Sequence, residues 1–113
     1  MSISYFVRYD INAPDVDAFV AYYRTKHVPI LSRWPGMKRV VLHTPADCDD
    51  LFATNRGKTV LLAQLEFDSM EDLEMAMGSA ERVEARQDFQ NFPQYQGQVL
   101  HQAMQTEEAW RKP

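Results

Sequence analysis

The hydrophobic pattern of this chain changes between a period of two and a helical period, and the order of these changes limits the fold most. Apolar and polar residues alternate over residues 3–10, which predicts a strand with one buried face. Residues 12–15 then supply capping side chains and an early proline, and apolar residues follow at helical spacing as far as Tyr23. We therefore predict a first strand and a helix that reaches about Lys26.

Two prolines interrupt the pattern after this helix. Pro29 lacks a backbone N–H group and disfavours α geometry at Val28, so we expect the helix to end or kink just after His27. A second break is expected at Pro35 and Gly36.

The rest of the pattern predicts two further strands, a capped helix, a second helical piece and a last strand. These are placed at residues 37–44, 59–67, 70–79, 81–88 and 95–103. The order is that of the ferredoxin-like βαββαβ unit, an α+β fold with a four-stranded antiparallel sheet and both helices on one face. We expect one domain of residues 1–113, whose uncovered sheet face pairs with an identical copy as a dimeric α+β barrel.

The uncovered sheet face is predicted to be half polar. Leu62, Gln64 and Glu66 should point to it from the third strand, and Arg39 and His43 from the second. A face of this kind suits a ligand cavity closed by a partner subunit.

The composition of the chain limits the kinds of partner that we expect. With 16 acidic and 12 basic residues the net charge is −4, so we expect no nucleic acid partner. No run of about eighteen apolar residues occurs and the first ten residues do not resemble a signal peptide, so we expect no membrane partner. The lone Cys48 suits a reducing compartment, and a cytoplasmic location is expected.

No metal-ligand spacing and no nucleotide-binding or serine hydrolase motif is found in the sequence. We therefore expect no metal site and no cofactor. The connection from Thr44 to Lys58 is long for a hairpin, and loops of this length are often lids or partner-binding elements.

Several segments resemble the EthD-like family. They are the stretch 23–31 with its His-Val-Pro-Ile step, the Trp-Pro-Gly-Met of 34–37, the helix entry 65–71, and Ser79, Asp88, Phe89 and Phe92. The resemblance spans nearly the whole chain but departs at residues 45–58 and beyond Met104. It implies a dimeric α+β barrel, whose wider relatives include cofactor-independent monooxygenases, muconolactone isomerases, polyketide cyclases and haem-handling enzymes.

His27 is the first candidate for chemistry. It lies on the apolar stripe of the first helix and matches the family's histidine position, where it would act as a general acid or base at the mouth of a cavity. The alternative is a structural histidine that holds the turn before Pro29.

The other candidates come mostly from the strands. Glu66 is the second catalytic candidate, and Tyr23, Trp34, Arg39, His43 and Gln64 are assigned to substrate binding. In the structural alternative Glu66 only pairs with Arg39 or Arg8, and His101 is expected to be exposed or at a dimer contact.

Two functions follow from these candidates. The first is a small-molecule enzyme that acts on an apolar oxygenated compound, as an oxidoreductase or as an isomerase or cyclase by proton transfer. The second is an accessory or stress-related protein that binds such a compound without converting it.

Overall fold

A computed structural model describes residues 1–52 and 58–113 of the chain. Its four strands form one antiparallel sheet in the order β2-β3-β1-β4, and they span Ser2–Asn12 (β1), Arg39–His43 (β2), Thr59–Phe67 (β3) and Gln96–Thr106 (β4). The predicted α+β fold is therefore confirmed. Of the predicted long connection between β2 and β3, residues 53–57 lie outside the described residues.

The helices all pack on one face of this sheet. They span Val16–Tyr22 (α1), Val28–Ser32 (α2), Met70–Met77 (α3) and Ala80–Asp88 (α4), with a π-helical segment at Tyr23–His27 and a 3-10 turn at Phe89–Asn91. Three helices have a side-chain cap that accepts a hydrogen bond from a backbone N–H group: Asp15 for α1, Ser69 for α3 and Ser79 for α4. The sequence predicts the caps of α1 and α3.

An end or a kink is expected just after His27. The helix does not end there, because the helical path continues through Ser32, but it changes at this point from the π-helical segment to α2. The π-helical segment widens the helix by one residue per turn, so that the N–H of Val28 bonds to the carbonyl of Tyr23. Pro29 then falls in the first turn of α2, a position in which proline is tolerated. The last strand is also longer than predicted and reaches Thr106.

The sheet separates two faces of different character. On β1 the residues Tyr5, Val7, Tyr9 and Ile11 are buried under the helices, and on β3 the odd-numbered residues 61–67 are buried with them. The residues between them on both strands lie on the face that no helix covers. The strand register agrees with this, since it pairs Ser4 with Glu66 and Phe6 with Gln64. We call this second surface the open face.

The start of β4 is sensitive to any side chain, which gives a first prediction. Gly97 lies opposite Ile11 with φ at +131°, and an added Cβ would come within 2.5 Å of the Asp10 carbonyl oxygen. We expect Gly97→Ala to lower the free energy of unfolding by about 2 kcal/mol or more, through clash and backbone strain together. Urea unfolding followed by circular dichroism measures the change.

Gly78→Ala is the matched control. An added Cβ at Gly78 would meet nothing closer than 3.8 Å and its φ is ordinary, so its stability should stay within about 1 kcal/mol of the parent. Equal stability of the two variants would contradict the argument.

Candidate functional site

A cavity of about 180 Å³ lies between the sheet and the helices. Its sheet side is formed by Tyr5, Val7, Tyr9, Leu65 and His101. Its helical side is formed by Tyr23, His27, Leu31 and Trp34 from the first helical stretch and its turn, and by Arg82, Ala85, Arg86 and Phe89 from α4 and the turn that follows. The cavity is therefore on the helix side of the sheet and is built within one protomer.

His27 is held rigidly in the wall of this cavity. It is 2% exposed and ends the π-helical segment, a local geometry that is frequent at functional sites. Rings of Tyr23, Phe89 and Phe92 surround the imidazole, with centroids 4.9, 5.2 and 5.0 Å away. Its Nδ1 donates a hydrogen bond of 2.9 Å to Oδ2 of Asp88.

Asp88, the last residue of α4, is buried and accepts hydrogen bonds at both carboxylate oxygens. The Tyr22 hydroxyl donates to Oδ1 at 2.8 Å and the Asn91 amide donates to the same oxygen at 3.1 Å. Three donors from three different segments thus fix the carboxylate, and the carboxylate fixes the ring of His27.

The pKa values of this pair have opposing physical causes. Burial lowers the pKa of His27 below its ordinary value, and the hydrogen bond and charge of Asp88 offset only part of that shift. For Asp88, burial alone would raise the pKa, but the hydrogen bonds from His27, Asn91 and Tyr22 outweigh it and the pKa is lowered. At neutral pH the imidazole is therefore neutral and the carboxylate ionised.

The hydrogen bond also sets the tautomer of the neutral imidazole. Because a carboxylate can only accept, the proton of His27 is on Nδ1 and the lone pair is on Nε2. Within residues 1–52 and 58–113, Nε2 has no hydrogen-bond partner. The arrangement supplies a fixed base to whatever occupies the cavity.

Trp34 lines the same cavity. The residue is 6% exposed, and its indole Nε1, which solvent does not reach, has no hydrogen-bond partner in the described part of the chain. The turn that places it ends at Gly36, whose φ of +79° favours glycine.

The mouth of the cavity is basic. Arg82 is half-buried, Arg86 and His101 are exposed, and these three residues separate the apolar interior from solvent. Burial and the nearby Arg82 charge lower the pKa of His101. The expected exposure of His101 is confirmed, although its side chain lies on the helix face, opposite Val7 in the register.

Known proteins of the same fold were compared with the chain. No protein-family model matches it. It is 36% identical, over 78 residues that are 69% of this chain and 72% of the relative, to an uncharacterized 11.0 kDa protein in the thcB-thcC intergenic region of Rhodococcus erythropolis. An EthD family protein from Bacillus halodurans aligns with a TM-score of 0.76 and 19% identity, covering 95% of this chain and 100% of that chain.

The chain is related in sequence to the Rhodococcus protein, and its fold is that of EthD family proteins. A monooxygenase from the ActVA-Orf6 gene of Streptomyces coelicolor, in complex with Nanaomycin D, has the same fold, with a TM-score of 0.70 and 15% identity over 99% of this chain and 93% of that chain. The EthD-like fold is therefore one that small-molecule enzymes share.

The structure brings together only part of the predicted site of this EthD-like protein. His27, Tyr23 and Trp34 line the cavity. The other four candidates lie on the open face, where Arg39 pairs with Glu66 at 3.1 Å and His43 Nε2 donates to Gln64 Oε1 at 3.2 Å.

The two catalytic candidates, His27 and Glu66, are therefore on opposite sides of the sheet within one protomer. The carboxylate that is bonded to His27 is that of Asp88. Glu66 instead has the ion pair with Arg39 that was its structural alternative.

Sequence reasoning included Asp88 in the family resemblance but gave it no role, and it missed Tyr22 and the basic residues of α4. One signal could have found Asp88, which stands between Ala85 and Phe92 at the spacing of a buried helical stripe. An acid at such a position needs a buried partner. No signal marked Arg82 or Arg86, because surface arginines on a polar helix are common.

The described residues contain no group of three or more His, Cys, Asp and Glu side chains that could hold a metal ion. In residues 1–52 and 58–113 no helix is long and apolar enough to cross a membrane.

The imidazole pKa of His27 tests this electrostatic account. In the parent protein it should lie below the ordinary value of about 6.5. Asp88→Asn removes the charge that favours the protonated ring, so we expect the pKa of His27 to fall further in that variant. NMR titration of the imidazole signals measures both values.

His101 is the internal control in the same titration. Its lowered pKa comes from burial and Arg82, so Asp88→Asn should leave it where it is. A His27 pKa that rises in Asp88→Asn would show that the carboxylate does not hold the ring as described.

Proposed function

We propose that this EthD-like protein is a small-molecule enzyme in which His27 removes a proton from an apolar oxygenated compound bound in the cavity. The observation that carries the proposal is the neutral imidazole held at 2.9 Å by an ionised, buried Asp88. A base of this kind must be unprotonated at neutral pH and fixed in position, and the pair supplies both.

The proposed step begins with Nε2 of His27 taking a proton from a carbon or hydroxyl group activated by a neighbouring oxygen. Asp88 stabilises the imidazolium that forms, because its carboxylate already accepts the Nδ1 proton. Return of the proton to another carbon would complete an isomerisation. Reaction of the deprotonated compound with dioxygen would instead give an oxidation.

The apolar lining supports a substrate with little polar surface. Val7, Leu31, Leu65 and Ala85 surround the space, and buried Tyr9 and Tyr23 stay protonated because burial raises the pKa of each phenol. A monooxygenase has this fold, which is a precedent for oxidation. Whether the deprotonated compound is oxidised or isomerised depends on the substrate.

A binding protein without turnover is the second candidate. The closed aromatic surroundings of His27 favour it, since a histidine packed among three rings could serve stability alone. The two candidates differ in one measurable property, which is proton exchange at the carbon of a bound compound.

The test is deuterium exchange in D2O, followed by NMR, with a panel of single-ring enolisable ketones and dihydroxybenzenes. For any compound whose exchange the protein accelerates, we expect His27→Ala to lower the rate by roughly a hundredfold or more. Asp88→Asn should also lower it, because the amide can stabilise neither the Nδ1–H tautomer nor the imidazolium in the same way.

Glu66→Gln is the matched control, since it alters a carboxylate on the open face and should leave the exchange rate unchanged. Tight binding without any exchange would favour the binding protein. Exchange that persists in His27→Ala and is lost in Glu66→Gln would move the chemistry to the open face.

The open face supports the proposal of a homodimer. Leu100 and Met104 of β4 are 40% and 47% exposed, and Phe6, Leu62 and Val41 lie half-buried on the same face of the other three strands. Solved structures of this fold include a dimeric protein. Pairing of two open faces would remove these apolar groups from water and is the commonest symmetric solution.

Light scattering coupled to size exclusion should therefore give about twice the 13.1 kDa chain mass. The double variant Leu100→Lys with Met104→Lys should shift the mass toward the monomer, because it places four like charges at the contact of two copies. Glu81→Lys on α4 is the control and should stay dimeric. A monomeric parent at micromolar concentration would overturn this assembly.

A further inference from the structure

Residues 107–113, which we call the arm, follow β4 and are exposed along their whole length. None of them belongs to a helix or a strand, and Trp110 is 75% exposed. Within residues 1–52 and 58–113, the one side-chain hydrogen bond of the arm is internal to it and joins Arg111 to Glu108. An indole ring has a large apolar area and is enriched at interfaces, so its exposure here indicates a binding segment.

A groove of about 380 Å³ lies at the opposite end of β4 from the arm. It is lined by residues of the turn after β1 and of the segment that enters β4, which are Asn12, Ala13, Pro14, Gln94, Tyr95 and Gln96. None of these lining residues of the described chain is charged. Pro14 and the Tyr95 ring offer apolar area, and the amide oxygens can accept a hydrogen bond from an indole N–H group. The groove therefore suits a neutral aromatic side chain.

The length of β4 decides which copy's groove an arm can reach. Gln96 and Thr106 are the two ends of the strand, ten residues apart, which is about 33 Å at the rise of a β-strand. Trp110 follows Thr106 by four residues, which span at most about 14 Å. The arm therefore cannot place Trp110 in the groove of its own protomer, and a second copy of the chain must supply the groove.

The proposed packing of two open faces brings the second groove to the arm. Because a two-fold axis makes every contact reciprocal, packing of Leu100 on Met104 of the second copy requires the converse contact as well. The two β4 strands then run antiparallel, with Gln102 at the centre. Trp110 lies eight residues after Gln102, and in this arrangement it comes opposite Gln94 of the second copy, eight residues before the centre.

The neighbouring strands fit the same axis. Phe6 of β1 and Val41 of β2 lie in the cross-strand row of Gln102, to which Gln64 of β3 also belongs. Phe6 and Val41 are half-buried on the open face, and each would meet its own counterpart near the axis. The apolar contact thus continues across the sheet in the arrangement that aligns arm and groove.

We propose that each arm of the homodimer crosses to the second copy and places the Trp110 ring in the groove beside Pro14 and Tyr95 of that copy. The proposal rests on the homodimer proposed above and adds to it a contact outside the sheet. An aromatic side chain buries about 150–250 Å², so two arms would bury roughly 300–500 Å² of ring surface. This is a substantial addition to an interface of standard size, which buries about 1,600 Å² in total.

Trp110→Ala tests the anchor, with the dimer Kd measured by sedimentation of the full chain over a concentration series. Loss of one buried aromatic anchor weakens binding by about tenfold or more, and the dimer would lose two, so we expect the Kd to rise at least a hundredfold. Circular dichroism should show an unchanged fold, because Trp110 is exposed within the protomer. Met75→Ala is the control, since it removes another exposed apolar side chain, on α3, and should leave the Kd unchanged.

Disulfide trapping locates the arm. Cys48→Ser removes the one cysteine of the sequence, and in that background one preparation carries Ala109→Cys and a second carries Gln94→Cys. After subunit exchange and mild oxidation, we expect a covalent heterodimer, because residue 109 adjoins Trp110 and Gln94 lines the groove. Met75→Cys mixed with Ala109→Cys is the control and should give no such product.

The outcomes separate the arm contact from the dimer itself. An unchanged Kd in Trp110→Ala, or the absence of the heterodimer with Gln94→Cys, overturns the arm contact and leaves the homodimer standing. A monomeric parent overturns both. The deuterium exchange assigned to His27 is measured independently, so its failure would leave the arm contact standing.

Discussion

The buried hydrogen bond between His27 and Asp88 joins the first helical stretch to the end of α4, and the candidate site depends on it. A carboxylate in such surroundings would be costly if it were unpaired. Here three donors reach it, from His27, Tyr22 and Asn91, and these hydrogen bonds compensate for its burial. The same bonds orient the imidazole. One polar contact therefore both joins the two helical segments and positions the candidate base.

The two faces of the sheet hold different groups of residues. Its helix side holds the aromatic core, the cavity and the His27 pair. Its open face holds Arg39, His43, Gln64 and Glu66, whose side chains are engaged with one another or with Ser4. Because alternate residues of a strand point to opposite faces, polar groups on the even positions of β3 cannot reach a ligand above the odd positions. The ligand site and the proposed dimer contact are therefore separated by the thickness of one sheet.

The π-helical segment explains how a proline and a buried histidine occur together in one continuous helix. By forming its bond five residues back, Val28 lets the chain turn once more before Pro29, and the extra residue rotates His27 toward Asp88 and the cavity. An α-helix that simply ended at His27 would leave the ring at a frayed terminus. The wider turn instead keeps it among the rings of Tyr23, Phe89 and Phe92.

The sequence by itself determined the order of the elements, the α+β fold and the sidedness of β1 and β3, because period-two and helical patterns are local properties of the chain. Helical spacing also marked Tyr23 and His27, and the family resemblance marked Trp34. Only the tertiary structure decided that Asp88, 61 residues away, partners His27, and that Glu66 lies across the sheet from it. Contacts between distant segments depend on how α4 packs on α2 and on the strand register, and neither is encoded by any local period.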